Sequence, residues 1–219
     1  MPSNLKHKIT LIGSSGLIGT NFLEQIGPDD FQNVKAITRR KILNLENKDF
    51  IKQSFHDFSD LEKMRQDLKT DVLVSALGTT IKKAGSKNEF TKIDHDLTLK
   101  ISKIAKEEGC RTMILISSIG ASCESNIFYS KVKGLLEVSL KEIGFEELHI
   151  LRPSMLLGKR TETRPAEYIS KHLIGHLSFL IPWKYKPIHA SIIAKKIKFI
   201  IMEEKSGIHI WEGRKLFNI

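Results

Sequence analysis

The chain has 219 residues, of which 41% are hydrophobic and 27% charged, the balance of a globular protein with a real core and of a length that suits one α/β domain. Its net charge of +10, concentrated from Lys159 onward, leaves a nucleic acid, an anionic membrane surface or a phosphorylated ligand as partners, beside a plain solvated basic face. Cys110 and Cys123 are the only cysteines, too few for a disulfide framework or a four-cysteine zinc site.

The start, Met1 to Lys8, is polar and basic, and the apolar stretch after it is short and soon rich in glycine. That is not the pattern of a secretory signal peptide, and a cytoplasmic protein is expected. No apolar run reaches the roughly 20 residues that span a bilayer, so no transmembrane segment is expected.

His7–Ile12 predicts a first strand, ending at Gly13. Leu17, Ile18, Phe22, Leu23 and Ile26 recur at helical spacing, which predicts a helix over 17–26, stopped by Gly27-Pro28. Val34–Thr38 reads as a second strand and Phe50–Phe55 as a third, weaker one. Leu61–Leu68 suits a short helix, and Asp71–Leu77 a buried strand broken by Gly78. A long helix is expected over Phe90–Glu108, closed by Gly109, then a strand over Thr112–Ser117. Phe128–Ile143 reads as a helix closed by Gly144, and Leu148–Leu151 as a strand ended by Arg152-Pro153.

Beyond Pro153 the pattern blurs. Glu167–Leu173 and Ile192–Met202 look helical, and Ile208–Trp211 resembles a last strand. Alternating strands and helices predict a doubly wound α/β fold: a parallel sheet with helices on both faces and ligands at the carboxyl ends of the strands. No repeat or linker divides the chain, so residues 1–219 are expected to form one domain, with residues 154–190 supplying cap elements on the substrate side.

Gly13-Ser14-Ser15-Gly16-Leu17-Ile18-Gly19 lies between the first strand and the first helix. A phosphate-binding turn needs this arrangement: glycines admit the pyrophosphate close to the backbone, and the helix N-terminus offers free N–H groups and partial positive charge. The spacing is G-x-x-G-x-x-G rather than G-x-G-x-x-G. The second strand ends at Thr38-Arg39-Arg40, about 20 residues on, where an NAD site would place an acidic side chain for the ribose hydroxyls. Two guanidinium groups suit a 2′-phosphate instead, so NADP(H) is the expected cofactor. Asp57, after the third strand, is either a contact to the adenine edge or an exposed loop aspartate.

Ser117-Ser118 closes the fifth strand, at the ligand edge. Tyr129 and Lys133 are four apart in the next helix and share a face. The set suits carbonyl reduction. A tyrosine hydroxyl would protonate the substrate oxygen, and a serine hydroxyl would hold that oxygen. A free tyrosine titrates near ~10, and a neighbouring ammonium stabilises its phenolate. Lys133 would also bond the nicotinamide ribose.

The glycine turn, Leu77-Gly78-Thr79-Thr80 with Ala84-Gly85, Ser117 to Ala121 and the Tyr129/Lys133 pair together resemble an atypical short-chain dehydrogenase/reductase. The resemblance is narrower to the oxidoreductases related to the human HIV Tat-interacting protein, which Arg152-Pro153, Leu156-Leu157-Gly158 and Arg160 through Arg164-Pro165 also fit. It covers nearly the whole chain and implies a Rossmann-type fold with an NADPH site. Its cofactor residues would be Ser15, Gly16, Leu17, Ile18, Arg39, Arg40, Tyr129 and Lys133. Leu77 and Gly78 would pass beside the cofactor; Pro153, Leu156 and Arg164 would approach its nicotinamide or the substrate. Relatives keep the serine about a dozen residues before the tyrosine, which admits both serines; Ser118 is favoured because the second of such a pair is the one more often used.

Two functions follow. The first is an NADPH-dependent reductase of a small-molecule carbonyl, or the reverse alcohol oxidation. The second is a redox-sensing regulator that binds NADPH and a protein partner with little turnover. Two other clusters are set aside. His172 and His176 are spaced as zinc ligands on a helix but lack the glutamate of a metalloprotease, so no metal is expected. Asp94-His95-Asp96 reads as the solvated face of the long helix. The basic charge comes with no recognition motif, so no nucleic-acid partner is expected.

Overall fold

The computed structural model describes residues 7–42, 45, 48–158 and 182–218. Seven strands form one parallel sheet: β1 (Lys8–Ile12), β2 (Asn33–Thr38), β3 (Ile51–Phe55), β4 (Val72–Ser75), β5 (Thr112–Ile116), β6 (Glu147–Arg152) and, further on, Gly207–Glu212. Two short strands intervene in sequence, β7 (Leu156–Leu157) and β8 (Ile188–His189), which pair with each other, so Gly207–Glu212 is β9. The order across the sheet is β3-β2-β1-β4-β5-β6-β9. It reverses between β1 and β4, and that switch point is where open α/β sheets bind ligands.

The central strands are apolar throughout because helices cover both faces. Within each strand, alternate residues serve opposite layers. Ile9, Leu11, Val72, Val74, Ile114 and Ile116 pack with α1 (Leu17–Gln25) and the late helix Ala190–Glu203, through Phe22, Leu23, Ile193, Ile197 and Ile200. Ile12, Leu73, Met113, Leu115, Leu148 and Ile150 face the other way, onto Met64, Leu68, Ile101, Leu136 and Leu140. The helices of that second layer are α2 (Arg65–Leu68), α5 (Thr98–Glu107) and α6 (Phe128–Ile143). Each such side chain, fully buried, contributes roughly 1.5–3 kcal/mol.

The expected strands and helices recur with ends moved by a few residues, and α6 has the bounds read from the sequence, closed by Gly144 at φ +77°. The 61–68 helix starts as a single 3₁₀ turn, Glu62–Met64, before α2. The long helix differs in kind. It is built from α4 (Lys87–Thr91), a π turn over Lys92–Leu97, and α5, after a short α3 (Ile81–Ala84). The late helix, Ala190–Glu203, is α7. The helix expected over Glu167–Leu173 and the His172/His176 pair lie outside the described residues, as does most of the expected cap.

Candidate functional site

Because all seven strands are parallel, the loops after β1, β4, β5 and β6 meet at one edge. The glycine turn packs against the β4 loop. Gly13 has φ +76°, and a β-carbon there would lie 2.4 Å from the Ala76 carbonyl carbon. A β-carbon on Gly19 would lie 2.4 Å from the Gly13 oxygen. Only glycine fits either position. Ser14 is buried and donates its hydroxyl to the Ile37 carbonyl at 2.6 Å, tying the turn to β2. Ser15 and Gly16 are exposed. Gly16 caps α1 without a side-chain hydrogen bond, and the first turn holds no acidic residue. Neither the cap nor the first turn thus offers a side-chain carboxylate to that N-terminus. Ile18 and Gly19 are buried beneath it, and Leu17 lies under the β7 segment, where a Gly158 β-carbon would come 2.7 Å from Leu17 Cδ1.

Arg39 and Arg40 follow β2, both exposed, and neither guanidinium has an ion-pair partner among the described residues. Thr38 Oγ1 donates to the Arg40 carbonyl at 2.8 Å and fixes the corner. Asp57 is exposed too, and its Oδ1 accepts both the Ser59 N–H and the Ser59 hydroxyl. Those bonds hold its carboxyl below the usual range. Asp57 therefore closes its own turn, whatever else it meets.

At the β5 end the two serines part ways. Ser117 is buried and donates to Glu137 Oε1 at 2.5 Å. Arg152 binds the same carboxylate through Nε at 3.0 Å and through a terminal nitrogen at 2.5 Å. Ser118 Oγ is buried and has no hydrogen-bond partner among the described residues. The Ile119 N–H donates to the Pro153 carbonyl at 2.9 Å, which joins this loop to the end of β6.

Tyr129 stands in the first turn of α6, half-buried, its ring 5.4 Å from that of Phe90. One turn on, Lys133 is 3% exposed and pairs with Asp94 at 2.8 Å. Asp94 is itself 1% exposed and accepts the Thr79 N–H at 2.8 Å. The expectation of a solvated Asp94-His95-Asp96 face is therefore corrected. The wider π turn directs Asp94 inward, while His95 and Asp96 pair with each other near the surface at 2.8 Å. A signal was present in the sequence: Asp94 is four residues from Phe90 and four before Thr98, on the stripe that continues to Ile101. Gly78 passes directly over the pair, and Leu77 packs against the neighbouring core. Leu156 lies in β7, and Arg160, Arg164 and Pro165 fall outside the described residues.

Residues 29–186 match the HIM1 family. The chain belongs to the HIM1 family. Among its relatives, an Eremothecium gossypii protein named FMP52, mitochondrial, is 37% identical over 218 residues, 95% of each chain. The Emericella nidulans fmp52, mitochondrial, is 35% identical over 77% of this chain and 75% of its own. HTATIP2 of Rattus norvegicus is 36% identical over 77% of this chain and 71% of its own. HTATIP2 is thus among the relatives of this HIM1-family chain, which is the likeness the motifs implied.

Solved structures agree on the Rossmann-type fold. Bordetella bronchiseptica WbmG, in complex with NAD, superposes with a TM-score of 0.71 at 15% identity, covering 97% of this chain and 74% of its own. The UDP-Glc/GlcNAc 4-epimerase of Campylobacter jejuni gives 0.72 at 15%, covering 96% and 81%. The expected cytoplasmic location is overturned, because the FMP52 relatives are named mitochondrial. The basic, polar start that argued against a secretory signal carries no information against another address. No helix among the described residues is long and apolar enough to cross a membrane.

Proposed function

We propose that this HIM1-family protein is an NADPH-dependent oxidoreductase that reduces a carbonyl of a small molecule, using Ser118, Tyr129 and Lys133. The observation that carries the reading is the pairing of Tyr129 and Lys133 one turn apart in α6 with a buried, unpartnered Ser118 hydroxyl at the same sheet edge.

The residues present fit a dinucleotide. The glycine turn leaves no room for side chains at Gly13 and Gly19, and the α1 N-terminus has no side-chain cap to compete with a phosphate. Arg39 and Arg40, without carboxylate partners among the described residues, suit a 2′-phosphate. When bound, the dinucleotide supplies a hydride to the substrate carbon. The chain's own residues do the rest. Ser118 Oγ donates to the substrate oxygen, Tyr129 transfers the proton of its hydroxyl to that oxygen, and Lys133 holds the nicotinamide ribose and stabilises the tyrosinate left behind. Pro153 and Leu156 border the substrate side, and Arg164 would join them. By the likeness to the FMP52 proteins, a mitochondrial location is part of the proposal, checked by fractionation of the cell that makes it.

A fluorescence titration with NADPH and NADH in parallel tests the reading. Preference for NADPH is expected, abolished by Arg39→Ala/Arg40→Ala with NADH affinity little changed. A screen of carbonyl substrates then follows, with Tyr129→Phe as the control that should lose turnover. Binding of neither dinucleotide would sink the reading. Binding without turnover of any carbonyl, together with a protein partner whose affinity follows NADPH, would favour a redox-sensing regulator instead.

A further inference from the structure

Beneath the loop after β4 lies a buried ion pair that the proposed chemistry leaves half unused. Asp94 Oδ1 meets Lys133 Nζ at 2.8 Å, with the two side chains 0% and 3% exposed. Asp94 Oδ2 accepts the Thr79 N–H at 2.8 Å. A β-carbon on Gly78 would stand 3.6 Å from Asp94 Oδ1 and 3.8 Å from Lys133 Nζ, so this backbone lies on the pair. The π turn over Lys92–Leu97 brings the carboxylate there, and single π turns are frequent at functional sites.

We propose that Asp94 is a positioning residue: its carboxylate aims the Lys133 ammonium at the nicotinamide ribose and locks the Gly78–Thr79 loop to that lysine. The inference rests on the dinucleotide reading above. The Thr79 N–H bonds one oxygen of Asp94, and the Lys133 ammonium lies against the other as an ion pair at 2.8 Å. An asparagine has a single acceptor oxygen and would turn its NH₂ toward one of the donors. An apolar side chain would leave both unmet. The pair is a poor source of stability, because removing two ions from water costs about as much as their attraction returns. What it does supply is direction. Asp94 holds the ammonium by charge at 2.8 Å, and no other described residue pairs with Lys133. Its N–H bonds are held ready for ribose hydroxyls, at a fixed height under the loop that would border them.

The test compares two ligands by calorimetry on the intact chain. NADPH carries the nicotinamide ribose; adenosine 2′,5′-bisphosphate keeps only the adenine half. Asp94→Asn is expected to weaken NADPH by about tenfold or more, the worth of one charge-assisted bond, and to leave the bisphosphate unchanged. Lys133→Ala should show the same selective loss, and Asp94→Asn should add nothing to it. Equal weakening of both ligands, additive losses, or no loss of NADPH affinity overturns the proposal. If Asp94→Asn does not fold, Asp94→Glu keeps the charge and Lys133 but moves the carboxylate by one methylene. Selective loss of NADPH affinity in that variant supports the role, and unchanged NADPH affinity or loss of both ligands overturns it. A wild-type chain that binds the bisphosphate but not NADPH more tightly refutes the positioning role alone. One that binds neither refutes the dinucleotide reading with it.

Discussion

Ser117 and Glu137 share a buried hydrogen bond of 2.5 Å, and this bond separates two serines that are adjacent in sequence. Ser117 is held by the carboxylate that also binds Arg152, whose other side reaches Glu212 at 3.5 Å, so β5, α6, β6 and β9 are joined at one end. Ser118 Oγ, one residue on, is buried and has no hydrogen-bond partner among the described residues.

Opposite stability effects follow for the two hydroxyls. Ser117→Ala leaves a buried carboxylate short of a donor and should cost about 1–3 kcal/mol in urea unfolding. Ser118→Ala removes an unpaired buried hydroxyl and should leave stability unchanged or slightly raised. If the reading of the site holds, Ser118→Ala alone removes turnover without weakening the fold. A Ser118→Ala loss of stability matching that of Ser117→Ala would refute the division of labour.

Gly134 reverses an ordinary rule. Alanine in a helix interior is usually better than glycine by about 1 kcal/mol. Here a β-carbon would come 2.2 Å from the Ser122 carbonyl carbon and 2.4 Å from the Cys123 nitrogen. Both atoms belong to one backbone peptide, which cannot yield as a side-chain tip would. Gly134→Ala is therefore expected to destabilise, by roughly 1–3 kcal/mol, and to displace the loop between Ser118 and Tyr129. A thermal midpoint at or above that of the wild type would show that the loop moves away freely.

The frame of the site was legible because each part rests on local signals: glycine between a strand and a helix, arginines at a strand end, tyrosine and lysine one turn apart. Asp94 was misread because an acidic triplet on a helix predicts solvent exposure; the stripe from Phe90 through Thr98 was the weaker signal, and the π turn with Lys133 below it turns the carboxylate inward. The β7–β8 pairing was also missed. It is two residues long on each side and joins segments about thirty residues apart, beyond any periodicity; Ser154 Oγ fastens it by donating to the Lys186 carbonyl.

Lys48 caps the helix that carries the glycine turn. Its ammonium donates to the carbonyls of Leu23, Glu24 and Ile26 at 2.8, 2.7 and 2.8 Å, taking up acceptors that the end of α1 leaves open. Lys48→Met keeps the stem and removes the donors. It should cost about 1–2 kcal/mol, measured by urea unfolding, and raise amide exchange in the last turn of α1. Unchanged exchange at Leu23–Gln25 would mean water satisfies those carbonyls equally well.

His149 makes acid stability depend on one buried ring. It is 1% exposed, in β6, stacked on His209 with centroids 5.1 Å apart, and its Nδ1 accepts the Trp211 indole N–H at 3.2 Å. Burial, then the nearby His209, Lys205 and Lys196, push its pKa down to about 4. Glu147 faces its Nε2 at 3.7 Å and does not reverse this. In the unfolded chain the ring titrates near ~6.5. Between those values the unfolded state binds a proton that the folded state refuses, so the stabilising contribution is complete above about pH 6.5 and is lost as the pH falls toward 4. The loss amounts to roughly 3 kcal/mol over that window. His149→Phe leaves the Trp211 N–H without its acceptor and lowers stability at every pH, but the slope between pH 6.5 and 4 should flatten. The slope, not the intercept, is the diagnostic: urea unfolding at several pH values that returns the wild-type slope in His149→Phe would assign the acid sensitivity in that window to other groups.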